Sequence, residues 1–234
     1  MTDSPHAAES PHASQSQQVS HSESPLRLLE PARLVPLLEI HHVEDAAPLA
    51  RAFVAAGLRT LEIALRTKGA PNAIRAIRAQ VPEALPGAGN VMTPLDLHLA
   101  RECGALFALS PGGTDALLDE AAAMADFPFV PGIATASELM KTITKGFHVV
   151  KFFPGAAMGG PATLRAMAAP FPHARFMPTG GVSEEDLDDW LAQPNVVAVG
   201  GAWLAPREDI ARRDWDAIAR RAESAVARHR AIRA

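Results

Sequence analysis

An α/β fold, a single (β/α)8 TIM barrel, follows from three observations on the sequence. Short apolar runs alternate with amphipathic segments from Leu34 onward at broadly similar spacing, the mark of repeated βα units. Eight such runs are present, the number that closes a parallel barrel inside a ring of helices. The polar residues that interrupt these runs gather at their carboxyl ends, where a barrel carries its site. A doubly wound open sheet is the alternative, and it usually shows a glycine-rich dinucleotide turn after its first strand. Here that strand ends Glu39-Ile40-His41-His42.

The first strand is read over 34–40 and is followed by a helix over 45–56. The second, over 59–65, carries one carboxylate among apolar neighbours and leads to a helix over 70–80. The third, over 84–91, ends among glycines, and Thr93-Pro94 then caps a helix over 94–103. Strand 105–110 precedes helix 114–124, strand 127–133 precedes helix 137–145, and strand 148–153 precedes helix 160–168. Strand 175–179 is followed by Ser183-Glu184-Glu185-Asp186, a hydroxyl cap with early carboxylates opening a helix over 184–191. Strand 196–200 and one long helix over 209–233 complete the set.

The chain has 234 residues and is 48% hydrophobic, enough for a sizeable core in one large domain or two small ones. Its apolar runs are far shorter than the roughly 18 to 20 residues of a spanning helix, so no membrane partner is expected. A net charge of −4 with interspersed signs leaves no basic stripe for nucleic acid. Small molecules and other subunits are the expected partners. The lone cysteine, Cys103, excludes an internal disulfide framework, fits a reducing compartment and reads as a buried filler. Residues 1–25, rich in Ser, His, Gln, Pro and Ala, read as a disordered tail before a barrel over 26–234. They lack the apolar core of a secretory signal and the arginines of a transit peptide, and scattered His6, His12 and His21 make a poor metal site.

Lys151, in His148-Val149-Val150-Lys151-Phe152-Phe153, lies inside an apolar strand of a chain with only four lysines. Removing an ammonium from water costs several kcal/mol unless the amine is paired or neutral, and a neutral amine is a nucleophile toward carbonyls. The alternative is a strand-end lysine whose stem packs while its head reaches solvent or a carboxylate. On the second strand, period-two alternation puts Glu62, Ala64 and Arg66 on one face. If that face is the lumen, Glu62 can relay protons and Arg66 can grip a carboxylate; otherwise the two form an internal ion pair. Asn90 offers a donor and an acceptor at the end of the third strand. Pro111-Gly112 and Pro131-Gly132 end the fourth and fifth, individually ordinary turns. Gly180-Gly181 and Gly200-Gly201 follow the seventh and eighth strands, where barrels commonly hold phosphate on free backbone N–H groups. Adjacent His41 and His42 point apart and give no metal site. Trp190, Trp203 and Trp215 read as packing residues.

Together these segments resemble the class I 2-keto-3-deoxy-6-phosphogluconate (KDPG) and 4-hydroxy-2-oxoglutarate (KHG) aldolases. The likeness runs from about Leu34 to Val226 through LEIALRT (61–67), GAGNV (87–91), FALSPGG (107–113), VPGIATASELM (130–140), VKFFPG (150–155), PTGGV (178–182) and VGGAWL (199–204). It implies that Lys151 forms an imine with the substrate ketone and that Glu62 moves protons through a water. It also implies that Arg66, Asn90 and Thr179, with backbone around Pro111, Gly112, Pro131 and Gly132, hold the pyruvyl moiety. Phe153 walls the site, and Gly180, Gly181, Gly200 and Gly201 carry a distal phosphate. No cofactor and no metal are implied, because the imine nitrogen is itself the electron sink. A cytoplasmic homotrimer acting on a 2-keto-4-hydroxy acid is the family expectation. Two positions depart from the family pattern: Asn90 stands where threonine is common, and Ala202 where serine is common. The missing hydroxyl at 202 removes a bond to a charged group worth roughly 1.5 to 3 kcal/mol, which brings shorter or unphosphorylated acids into range as main substrates. A sugar-phosphate isomerase or epimerase, and a non-catalytic barrel sensing a keto acid or sugar phosphate, remain the other readings.

Overall fold

In the structure, a computed structural model describing residues 23–233, the chain opens with helix α1 (Glu23–Ala32) and enters strand β1 (Leu34–Leu38). Then follow α2 (Val43–Ala55), β2 (Thr60–Ala64), α3 (Ala70–Gln80), β3 (Leu85–Gly89), α4 (Pro94–Glu102), β4 (Ala108–Leu109) and α5 (Asp115–Ala123). The second half runs β5 (Phe129–Val130), β6 (Gly132–Ile133), α6 (Ala136–Thr144), β7 (Val149–Phe152), α7 (Gly160–Ala168), β8 (Arg175–Pro178), α8 (Leu187–Leu191), β9 (Val199–Gly201), α9 (Arg207–Arg212) and α10 (Trp215–Arg233).

All strand pairings are parallel, in the order β5-β4-β3-β2-β1-β9 and β6-β7-β8. The two pieces are one sheet. β5 and β6 are a single strand broken at Pro131, which has no N–H to donate but whose carbonyl accepts from Lys151 N at 2.9 Å. At the other seam, a parallel bridge joins Phe176 of β8 to Val196, just ahead of β9. The sheet therefore closes into the expected eight-membered barrel.

Alternation along each strand sorts side chains into two cores. Val35, Phe107, Leu109, Val130, Val149, Met177 and Val197 fill the lumen, whereas Val150, Phe152, Phe176 and Val199 pack outward against the helices. Lys151 shares the face of Val149, and so points inward.

Four differences from the sequence expectations have physical causes. Helix α1 was not anticipated; its Leu29 is buried with the lumenal residues and its Leu28 carbonyl accepts from Thr60 Oγ1 at 3.2 Å, so it stoppers the amino-terminal end of the barrel. The helix starts at Glu23, three residues before the expected start of the barrel at 26, while residues 1–22, with His6, His12 and His21, lie outside the described residues. The fifth strand is split by Pro131. Helix α8 loses its first turn because Asp186 bonds back to Ser183 N at 2.7 Å and to Trp190 Nε1 at 3.1 Å. The final helix is two: Arg213 adopts φ 55°, and Asp214 caps the next segment by accepting from Ala217 N at 3.0 Å. Asp209 then ties the halves together through Arg212 at 2.6 Å and Arg221 at 2.8 Å, and the Arg221 guanidinium above all holds its carboxyl below the usual range.

Elsewhere local chemistry and element agree. Thr93 with Asp96 and Thr135 with Glu138 form reciprocal capping boxes on α4 and α6. Cys103 is buried, its Sγ donating to Ala100 O, and burial pushes its thiol pKa up. Among the described residues no helix is long and apolar enough to cross a membrane.

Candidate active site

Lys151 and Glu62 meet inside the barrel. Lys151 is 4% and Glu62 0% exposed, and Nζ donates to Oε1 at 2.7 Å. Two strands place the partners: β1 pairs with β2 so that Leu37 lies beside Glu62, and β6 pairs with β7 so that Gly132 lies beside Lys151. The second carboxylate oxygen, Glu62 Oε2, is buried with no hydrogen-bond partner among the described residues. An unmatched buried acceptor is costly, and a carboxylate free at one oxygen and bonded to an amine at the other is suited to passing protons.

The position of Glu62 is fixed by its surroundings. A Cβ added at Gly89, on the neighbouring strand, would fall inside the Glu62 carboxylate. Gly87, facing it in register, leaves the space that the Phe107 ring fills. The loops after the fourth and fifth strands are closed on one another in the same way. A Cβ at Gly132 would enter the Pro111–Gly112 peptide, and Gly132 N donates to the buried Ser110 Oγ at 3.1 Å.

Above the pair lies a cavity of about 290 Å³ that brings together Arg66, Lys151, Phe153, Thr179, Gly180, Gly181, Gly200 and Gly201. Thr179 Oγ1 is buried and without a partner among the described residues, a hydroxyl open to a ligand. The Lys151 ammonium position lies 6.0 Å from the Phe153 ring centre, so the ring walls the amine without covering it. Gly180 and Gly181 have φ of 90° and 77°, and a Cβ at Gly180 would press on Phe153. These turns need glycine for conformation and for space.

The remaining sequence-predicted residues lie outside that cavity. Glu62 is reached through Lys151, and Asn90, at φ 57°, accepts from Arg66 Nε at 3.4 Å. Pro111, Gly112, Pro131 and Gly132 form the interlocked loops after β4 and β5, with Gly132 in register beside Lys151. Glu62 and Arg66 do not form the internal ion pair that was one reading of the second strand, since the Glu62 carboxylate is engaged by Lys151.

Sequence reasoning missed three residues of the cavity wall. Leu37 and Val182 are ordinary apolar residues with no signal of their own. Trp203 does pack, lying so close over Gly201 that a Cβ there would overlap its ring, but it also lines the cavity. Trp190 and Trp215 pack in the helical layer as expected.

Comparison with known proteins agrees with this geometry. Residues 26–221 match the family model described as KDPG and KHG aldolase. The KHG/KDPG aldolase of Escherichia coli strain K12 is 45% identical over 199 residues, covering 85% of this chain and 93% of that one. The 2-dehydro-3-deoxy-phosphogluconate aldolase of Dickeya dadantii is 45% identical over 201 residues, covering 86% and 94%. Among solved structures, the KDPG aldolase of Legionella pneumophila, holding pyruvate captured at low pH as a covalent carbinolamine intermediate, superimposes with TM-score 0.83 at 38% identity, covering 86% of this chain and 97% of that one. The 2-keto-3-deoxy-6-phosphogluconate aldolase of Zymomonas mobilis ZM4 with 3-phosphoglycerate superimposes with TM-score 0.79 at 37% identity, over 85% and 93%. With its barrel, its cavity and these matches over most of its length, the chain belongs to the KDPG and KHG aldolase family, carbon–carbon lyases of the Schiff-base class.

Proposed function

We propose that this protein cleaves 2-keto-3-deoxy-6-phosphogluconate, or a related 2-keto-4-hydroxy acid such as 4-hydroxy-2-oxoglutarate, to pyruvate and an aldehyde, with Lys151 as the nucleophile. The aldehyde is glyceraldehyde 3-phosphate in the first case and glyoxylate in the second. The observation that carries the reading is the buried Lys151–Glu62 hydrogen bond at the floor of an open cavity.

The reaction follows from that bond. Glu62 takes a proton from Nζ, and the freed lone pair attacks the C2 ketone to give a carbinolamine. Loss of water, the hydroxyl being protonated through the same carboxyl, gives the iminium. The C3–C4 bond then breaks with its electron pair passing into the C=N, while the C4 hydroxyl proton leaves to Glu62 through a water and the aldehyde departs. The resulting enamine is protonated at C3, and hydrolysis of the iminium returns the amine and releases pyruvate. The barrel keeps all this away from bulk water, so charge on the iminium nitrogen and the carboxylate is felt at short range.

In this reading Arg66 and Thr179 Oγ1 bind the keto acid's carboxylate, with Asn90 steering Arg66 and the loops at Pro111-Gly112 and Pro131-Gly132 supplying backbone groups. Gly180, Gly181, Gly200 and Gly201 present backbone toward the far end of the substrate. The same reading takes the enzyme to be cytoplasmic and homotrimeric; sedimentation velocity of the full chain, expected at three times the monomer mass, checks the assembly. Activity is tested by offering each keto acid and following pyruvate through NADH oxidation by lactate dehydrogenase. Turnover of one or both is expected, and no pyruvate from either would overturn the assignment.

A further inference from the structure

The cavity above Lys151 does not end at the glycine turns. Leu37, Arg66, Ala202 and Trp203 also line a second lobe of about 440 Å³, whose far wall is formed by Glu39, Arg207 and Glu208. Counting outward from the amine, a substrate bound through its ketone would run past Gly200 and Gly201, reach the methyl group of Ala202, and face Arg207. The group that most needs a donor at that end is met at position 202 by a side chain with none.

Arg207 is placed to supply it. Nη2 donates to Glu39 Oε2 at 2.6 Å, the only side-chain hydrogen bond of this guanidinium among the described residues, which leaves most of its five donors unused there. Glu39 is only 17% exposed and is also approached by His41 Nε2 at 3.7 Å, whereas the Arg207 side chain is 73% exposed. With the arginine so open to water the pair is well screened, so it orients the arginine without competing strongly with an incoming dianion. Arg66 on the near wall is engaged by the keto acid's carboxylate in the aldolase reading, which leaves Arg207 to supply the positive charge at the far end, beside the carboxylates of Glu39 and Glu208. A guanidinium tethered on one edge and open on the others has the fork that grips phosphate or carboxylate.

Resting on the aldolase reading above, we propose that Arg207, tethered by Glu39, is a specificity-determining residue that binds the anionic end of the aldehyde-derived half of the substrate. It makes the contact that Ala202 cannot.

The test compares kcat/KM for 2-keto-3-deoxy-6-phosphogluconate and its unphosphorylated counterpart in the full chain, Arg207→Ala and Arg207→Lys. The ratio of the two constants should fall at least about tenfold in Arg207→Ala, chiefly through KM for the phosphorylated acid, and Arg207→Lys should recover part of it. A ratio that stays within about twofold of the unaltered chain, or that falls only because both substrates suffer equally, would overturn the proposal. If neither acid is cleaved, the aldolase reading has failed separately, and calorimetric titration with inorganic phosphate decides the anion site alone. Weaker phosphate binding in Arg207→Ala upholds the site, and equal or absent binding in both proteins overturns it.

Discussion

The two ends of the substrate cavity are built on opposite plans. At the inner end Lys151 and Glu62 are buried, bonded to each other, and locked by neighbours that leave no room for a methyl group: Gly89 against the carboxylate and Gly132 against the loop at Pro111. At the outer end Gly200 and Gly201 lead to Ala202 and then to Arg207, whose side chain is mostly in solvent. In the proposed reaction the inner end does the chemistry, where misplacement by an ångström costs orders of magnitude; the outer end only recognises, and a change there costs a hydrogen bond. One molecule can thus hold its reaction fixed while its choice of substrate drifts.

The contrast can be broken most completely at Lys151. Lys151→Ala should reduce pyruvate release to background in the coupled assay and also leave Glu62 as an unpaired buried carboxylate, costing roughly 3 to 5 kcal/mol of stability. Glu62→Gln keeps the shape and removes the proton acceptor. It should slow cleavage by about 10² to 10⁴-fold while pyruvate is still captured on Lys151, a split visible by comparing single-turnover rate with adduct yield. Gly89→Ala replaces neither reacting group, yet its methyl must displace the Glu62 carboxylate, and a loss in kcat of about 10²-fold is expected. Were Gly89→Ala fully active, the packing account of the inner end would be wrong.

At the outer end the effects shrink and change sign. Ala202→Ser should raise kcat/KM for the phosphorylated acid by about tenfold and leave KHG cleavage nearly as it is. The smallest effect lies away from both ends. Because the Arg221 guanidinium holds the Asp209 carboxyl below its usual range, the ionised form is favoured in the folded state. That contribution is present above the ordinary carboxylate pKa of about 4 and is lost as pH falls through the lower folded value. The Tm advantage of the protein over Asp209→Asn, read by calorimetry, should therefore narrow on acidification below about pH 4.

What could be read from the sequence follows the same division. The barrel was legible because each βα unit repeats a local pattern, and the lysine because an ammonium in Val149-Val150-Lys151-Phe152 has few innocent explanations. Helix α1 was not legible: its contact is with the barrel floor, through Leu29 and the Leu28 carbonyl, and nothing local marks a stopper. Nor was the break in the last helix: Arg213 is an ordinary helix former, and its φ of 55° falls where Asp214 N returns to Asp209 O at 2.9 Å and Asp214 caps the next segment. Glu62 could be singled out, but its partner could not: period-two alternation offered Arg66 on its own strand, and the real partner lies 89 positions away on β7. Trp203 was readable as a packing residue and only the closed barrel makes it a cavity wall.

The central claim, that Lys151 is the nucleophile, is tested most directly by reducing the protein with sodium borohydride in the presence of pyruvate and mapping the adduct by mass spectrometry. The account predicts one stable pyruvate-derived secondary amine per chain, on Lys151 and absent from Lys151→Ala. A folded protein that gains no adduct, or gains it equally on Lys68, Lys141 and Lys145, would contradict it.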